Sequence, residues 1–184
     1  MRFPKCSVFI ATSLDAFIAR PDGRIDWLDE ANRLVPPGED CGYAAFFASV
    51  DALVMGRATF ETVLKFPDWP YGPKPVYVLS RTLKQLPPSV PDAVRLLAPN
   101  PGEVIKHCEA QGHRHLYIDG GKTIQGFLSA GLIGEITITV IPVILGEGIP
   151  LFGKLPADIS LKHVSTKTYP FGFVQNRYAV MEAA

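Results

Sequence analysis

The chain has 184 residues, 47% of them hydrophobic, enough for one domain, 1–184, that buries on the order of 70% of its unfolded surface without disulfide or metal staples. Eighteen basic residues balance eighteen acidic ones, and no Lys/Arg run occurs, so the electrostatic footprint of a nucleic-acid or anionic-membrane partner is excluded. Cys6, Cys41 and Cys108 are odd in number, far apart and outside C-x-x-C spacing, which argues against a disulfide framework or zinc site and for a reducing, cytoplasmic setting. The longest uncharged apolar run, 136–146, contains Pro142 and falls far short of the roughly 20 residues of a membrane span.

In chain order, residues 7–12 read as a strand buried on both faces through Val8, Phe9 and Ile10, as in the middle of a mostly parallel sheet. This apolar segment is too brief for a leader, and Asp15 follows at once. Residues 13–19 continue the strand irregularly to a Pro21-Asp22-Gly23 turn. The connection over 20–39 carries Trp27 and Pro36-Pro37-Gly38; loops of this length are functional lids or disordered, and Trp27 favours a lid that packs on something. A helix is expected over 40–49, with Asp40 as N-cap and Tyr43, Phe46 and Phe47 on its apolar face.

Three strand ends carry anion-binding chemistry. Residues 52–55 run into Gly56-Arg57-Ala58-Thr59, where helical spacing begins; 76–79 end in Ser80-Arg81-Thr82; and 116–118 lead through Asp119 to Gly120-Gly121-Lys122-Thr123-Ile124 and a second helix. A strand–glycine–helix turn leaves backbone N–H groups unpaired where the helix dipole is positive, which suits phosphate, and ligands of open α/β sheets gather at the carboxyl ends of strands. Residues 94–97 form a short strand, and Asn100-Pro101-Gly102-Glu103 reads as the cap, first turn and N3 acid of a helix to about 111. Residues 135–141 alternate Ile136, Ile138 and Val140 with Thr137 and Thr139 as a half-exposed strand. Residues 161–169 and 173–181 form an antiparallel hairpin at one sheet edge.

The blocks Met55-Gly56-Arg57-Ala58-Thr59-Phe60-Glu61, Val78-Leu79-Ser80-Arg81-Thr82 and Ile118-Asp119-Gly120-Gly121-Lys122-Thr123-Ile124 resemble dihydrofolate reductase. The ends resemble the reductase domain of the bifunctional riboflavin-pathway deaminase/reductase: Ser13-Leu14-Asp15-Ala16-Phe17-Ile18-Ala19 is similar to its S-L-D-G-x-I-A opening. Gly131 to Ile136, then Pro142, Gly146, Gly148 and Phe152, are similar to its tail. The resemblance implies a dihydrofolate-reductase-like three-layer α/β/α sandwich, with a mostly parallel central sheet and an antiparallel C-terminal hairpin. It also implies NADPH as cofactor, a homodimer and a cis peptide at Gly120-Gly121. Arg57 and Thr59 would grip the phosphates, Ser80 and Arg81 the 2′-phosphate, and Gly120, Gly121, Lys122 and Thr123 the pyrophosphate, with Gly56 and Ile124 completing the cofactor set. The chain departs from the riboflavin-pathway pattern where Gly-Arg-x-Thr-x-Glu replaces a D-D-P segment and Asp119 replaces the Glu of E-G-G. It also has no H-x-E with a downstream P-C-x-x-C, so the zinc deaminase half is absent.

Hydride transfer asks the protein to hold the nicotinamide against an acceptor carbon, exclude water and polarise the acceptor with one acid. Asp40 and Asp15 are the candidate catalytic carboxylates, each with a plain cap or turn role as the alternative. Asp119 is a third that could instead support the glycine turn. Trp27 and Asp15 are expected on the substrate side. His107, His113, His115 and His163 lack the spacing of a metal site or triad and are expected in solvated or helix-end positions. The leading expectation is an NADPH-dependent reductase of a small pteridine- or pyrimidine-like substrate. The competing one is a nucleotide-binding protein without turnover, marked by a substrate half with no ordered carboxylate.

Overall fold

The computed structural model describes residues 3–181. Its elements in chain order are β1 (Lys5–Thr12), β2 (Phe17–Ala19), α1 (Asp26–Asn32), α2 (Tyr43–Ser49), β3 (Ala52–Gly56), α3 (Arg57–Val63), β4 (Val76–Leu79) and β5 (Val94–Leu97). There follow α4 (Pro101–Ala110), β6 (His115–Asp119), α5 (Gly121–Ser129), β7 (Ile133–Val140), β8 (Ile149–Pro150), β9 (Leu161–Thr168) and β10 (Val174–Val180). Eight strands form one sheet in the order β5-β4-β3-β6-β1-β7-β10-β9, and β2 pairs with β8 apart from it. The pairings from β5 to β7 are parallel. The expected hairpin is present, β10 lying antiparallel to both β7 and β9.

The period-2 alternation of buried strands divides the core into layers. Ala52 and Val54 of β3, Tyr77 and Leu79 of β4 and Leu116 and Ile118 of β6 share a cluster with Val104, Ile105 and Cys108 of α4 and Ile124, Phe127 and Leu128 of α5. Their neighbours Leu53, Met55, Val76, Val78 and Tyr117 face the other way, packing with Phe60 and Val63 of α3 and Phe46 and Phe47 of α2. Helices therefore cover both faces, the expected α/β/α sandwich. The Asn100 side chain accepts the Glu103 N–H at the start of α4, as the capping pattern predicts.

Several expectations need correction. Strand β7 is interior rather than half-exposed: it lies between β1 and β10, and Ile136, Thr137 and Thr139 are buried. Its apolar residues thus complete the protein's own core, and Ile144, Phe152, Leu161 and Val164 are among the large apolar side chains left exposed elsewhere. The second helix begins at Tyr43 with Gly42 at its cap position. His115 is not simply solvated; its ring bonds Ser7 Oγ at 2.8 Å and the Ser49 carbonyl at 2.9 Å. No peptide bond among the described residues is cis. Gly120 instead makes the turn with φ 88° and ψ 137°, a region open to glycine, so the chain reverses without isomerisation.

The two terminal motifs lie against each other. Leu14 N–H donates to the Val143 carbonyl and Leu151 N–H to the Ala16 carbonyl. A Cβ on Gly148 would fall 2.4 Å from the Ala19 carbonyl oxygen, so only glycine permits this approach. Ala16 adopts φ 64°, which costs an L-residue on the order of 1–2 kcal/mol, and it stands where the resembled opening has glycine. Ala16→Gly is expected to stabilise the fold by about 0.5–1 kcal/mol, the relieved strain exceeding the added unfolded-state entropy. Denaturant titration measures this; a lower midpoint would contradict it.

Candidate active site

Register brings the three predicted strand ends level. Met55 pairs with Asp119 across β3 and β6, and Gly56 with Leu79 across β3 and β4, so the turns after Gly56, Leu79 and Asp119 emerge side by side. The two glycine turns fit into each other. A Cβ on Gly120 would stand 2.2 Å from Thr59 Oγ1, and one on Gly56 would stand 2.9 Å from Thr123 Oγ1. Each hydroxyl therefore sits where the opposite turn lacks a side chain, and backbone of both turns reaches the surface of a cleft of about 1360 Å³.

Gly56, Arg57, Thr59, Ser80, Arg81, Gly120, Gly121, Lys122 and Thr123 all line that cleft, as expected of one anion-binding wall. Arg57 donates through Nε to Glu61 Oε1 at 2.6 Å and through Nη1 to Thr82 Oγ1 at 2.9 Å, joining the β3 and β4 ends. Ser80 Oγ accepts the Thr82 and Leu83 N–H groups, which fixes the turn bearing Arg81. The first amides of α5 have no partner within the helix and point out of its N-terminus. Ile124 is the exception: it is buried in the core beneath α5 and does not line the cleft, because one turn of helix carries its side chain to the sheet-facing side.

The opposite wall is aromatic and aliphatic. Phe9 of β1 packs with Tyr43, Tyr71 and Tyr117 there, and Ile10 and Ala11 also line the cleft, with Phe9 stacked on Phe46 at 4.8 Å and Tyr117 edge-on to Phe46 at 5.0 Å. The Tyr117 hydroxyl donates to the Phe9 carbonyl. Ile25, Leu28, Asn32 and Val35 close this side, so the long connection is a lid containing α1. Trp27 is its anchor rather than its inner face: it is 5% exposed, packs with Ile141, Tyr169 and Phe173, and does not line the cleft.

The three acids separate by environment. Asp15 lies outside the cleft lining; its carboxylate accepts Ser13 Oγ at 2.6 Å and the Leu145 and Gly146 N–H groups, so it pins the β1–β2 turn to the glycine loop. The Ser13 hydroxyl above all holds its pKa below the ordinary range. Asp40 is exposed at the rim and accepts the Ala44 and Gly42 N–H groups at 2.8 Å each. Those bonds lower its pKa, so it is a helix-start cap that stays ionised. Asp119 differs: it lines the floor of the cleft, and desolvation raises its pKa to about 6 against one lowering bond from Gly120 N–H at 2.8 Å. Its charge also raises Tyr43, Tyr71 and Tyr117, though burial is the larger cause for each. A carboxyl poised near neutrality at the end of a central strand is placed to donate a proton. The sequence signal was its position directly before the glycine pair. No cluster of His, Cys, Asp or Glu among the described residues could hold a metal ion, and no helix among them is long and apolar enough to cross a membrane.

The model of the RibD C-terminal domain family matches residues 4–174. The Bacillus subtilis (strain 168) uncharacterized protein YwjB is 37% identical over 169 residues, covering 90% of this chain and 92% of that protein. A crystal structure of a Shewanella sp. PV-4 protein provisionally assigned to riboflavin biosynthesis superposes with a TM-score of 0.90 at 42% identity, over 97% of this chain and 99% of that one. At 14% identity, a Thermotoga maritima diaminohydroxyphosphoribosylaminopyrimidine deaminase/5-amino-6-(5-phosphoribosylamino)uracil reductase shares the fold, with a TM-score of 0.70 over 97% of this chain and 57% of that one.

Because Asp119 binds its proton more tightly folded than unfolded, its contribution to stability is fully present below the unfolded range near 4 and is lost as pH rises through about 6. Above that, the desolvated carboxylate costs on the order of 2 kcal/mol. Asp119→Asn is therefore expected to raise the unfolding free energy at about pH 8 by roughly that amount and to change it little below about pH 4. Chemical denaturation at both values checks this; a variant equally or less stable at the higher pH would contradict it.

Proposed function

The chain belongs to the RibD C-terminal domain family, and on that footing we propose that it is an NADPH-dependent reductase of a small pteridine- or pyrimidine-like heterocycle. The observation that carries the reading is one cleft with two unlike walls and an acid of raised pKa between them. The wall of interlocked glycine turns fits the cofactor: a Cβ at Gly120 would fill the space at Thr59, and Arg57, Arg81 and Lys122 supply the cations a dinucleotide phosphate needs. Arg81 and Ser80 would hold the 2′-phosphate, Arg57 and Thr59 its neighbours, and Gly120 through Thr123 the pyrophosphate, by charge-assisted and backbone bonds. When bound, NADPH supplies the hydride.

The protein's own part is positioning and proton supply. Phe9, Tyr43 and Tyr117 clamp a planar ring, while Leu28 and Val35 of the lid exclude water and so strengthen every polar contact inside. Asp119 holds the proton at its carboxyl, one oxygen fixed by Gly120 N–H, and delivers it to the acceptor atom adjoining the reduced carbon. An ordered carboxylate on the floor of the cleft supports turnover over the competing reading of nucleotide binding alone.

The same reading includes a homodimer, supported by edge strand β9, exposed along its whole length with Leu161 and Val164 outward and Phe152 nearby. Free thiols at Cys6, Cys41 and Cys108 fit a cytoplasmic setting. Sedimentation at micromolar concentration should return the dimer mass, and a monomer would count against this part.

NADPH is expected to bind at least about tenfold more tightly than NADH, since a charged hydrogen bond contributes on the order of 1.5–3 kcal/mol. Arg81→Ala should remove most of that preference while leaving NADH affinity nearly unchanged. Calorimetric titration of both cofactors tests it, and equal affinities in the unaltered protein would overturn the assignment.

A further inference from the structure

We infer that the substrate half of the cleft takes an uncharged, unphosphorylated amino-substituted heterocycle and disfavours one that carries a phosphate; this rests on the reductase reading above and sharpens its substrate class. The cleft-lining cations are Arg57, Arg81 and Lys122, all on the glycine-turn wall among the described residues. The charged groups lining the rest of the lid and floor are Glu39, Asp40 and Asp119, every one a carboxylate.

The backbone donors leading into α2 are already in use. Glu39 Oε1 accepts the Asp40 and Cys41 N–H groups, and Asp40 accepts those of Gly42 and Ala44. The amides around the start of α2 thus present two acidic side chains to a ligand rather than open N–H groups. The basic groups nearby are outside the cleft lining and paired: Arg20 with Asp26 at 2.7 Å, Arg24 with Asp22 at 2.6 Å, and Lys167 3.8 Å from Glu39 and over the Tyr169 ring at 4.3 Å. A phosphate extending from a bound ring toward the rim would meet no cation in the cleft lining there and would face like charge. A neutral ring with amino substituents meets the opposite situation: aromatic faces at Phe9 and Tyr43, and at the rim the Glu39 and Asp40 carboxylates, which attract rather than repel N–H groups. The Thermotoga maritima enzyme's name specifies a phosphoribosylamino substrate, so the inference separates this chain's substrate from that one.

Matched probes that differ only in the phosphate decide the matter: 7,8-dihydroneopterin and its 3′-monophosphate, titrated by calorimetry into the whole protein with and without saturating NADP⁺. The neutral probe is expected to bind at least about tenfold more tightly at low ionic strength, with the gap narrowing as added salt screens the rim. Glu39→Gln, which keeps an amide-accepting oxygen and removes one charge, should also narrow the gap without lowering the melting temperature. Equal or tighter binding of the phosphorylated probe would overturn the inference, as would failure of both probes to bind. Failure of NADP⁺ alone to bind would count against the reductase reading, while the probe ratio on the cofactor-free protein would still decide this one.

Discussion

The site depends on two glycine turns filling each other. Thr59 Oγ1 occupies the place of a side chain at Gly120, and Thr123 Oγ1 that of one at Gly56. This contact is possible because β3 and β6 are parallel neighbours in level register, with Met55 opposite Asp119. Parallel pairing aligns the carboxyl ends, each followed at once by a helix, so cations and unpaired amides converge on one wall without any long-range clustering of charge in the sequence. A side chain at Gly120 would have to displace Thr59 and also adopt φ 88°, a double constraint that only glycine meets.

The same register places the acid. Asp119 ends the strand between β3 and β1, on the floor of the cleft beside the glycine turns, where burial rather than a charged partner sets its proton affinity. Asp15 and Asp40 have the opposite surroundings, with two or more donors each. Three carboxyls of one chain thereby meet three environments, as a loop pin, a helix cap and, in the proposed reaction, a proton donor, by desolvation against hydrogen bonding.

The sheet, its layers and the anion-binding wall were legible in the sequence because they depend on local pattern: buried strands running into glycine, hydroxyl and basic residues. Ile124 was misread because helical phase, not adjacency to the glycine pair, decides which side a residue faces. Trp27 was correctly sensed as packed, yet its partners Tyr169 and Phe173 are more than a hundred positions away, beyond any local signal. The proposed role of Asp119 was hard to read from the sequence for a related reason. Asp40 and Asp15 sit in strong cap and turn contexts, whereas the desolvation of Asp119 comes from its burial in the folded protein, among cleft-lining residues such as Tyr43 and Tyr71 that are distant in sequence. The cis peptide expected at Gly120-Gly121 came from resemblance and was not needed, positive φ providing the same reversal.

The central claim is that one desolvated carboxyl at the end of β6 is poised between a cofactor wall and a ring pocket. Carbon-13 NMR titration of the aspartate side chains, assigned through Asp119→Asn, observes that group directly. The account predicts one carboxyl titrating near 6 and moving when NADP⁺ is added, while Asp15 and Asp40 titrate below the ordinary range. An Asp119 resonance that titrates with the exposed carboxylates, indifferent to NADP⁺, would contradict it.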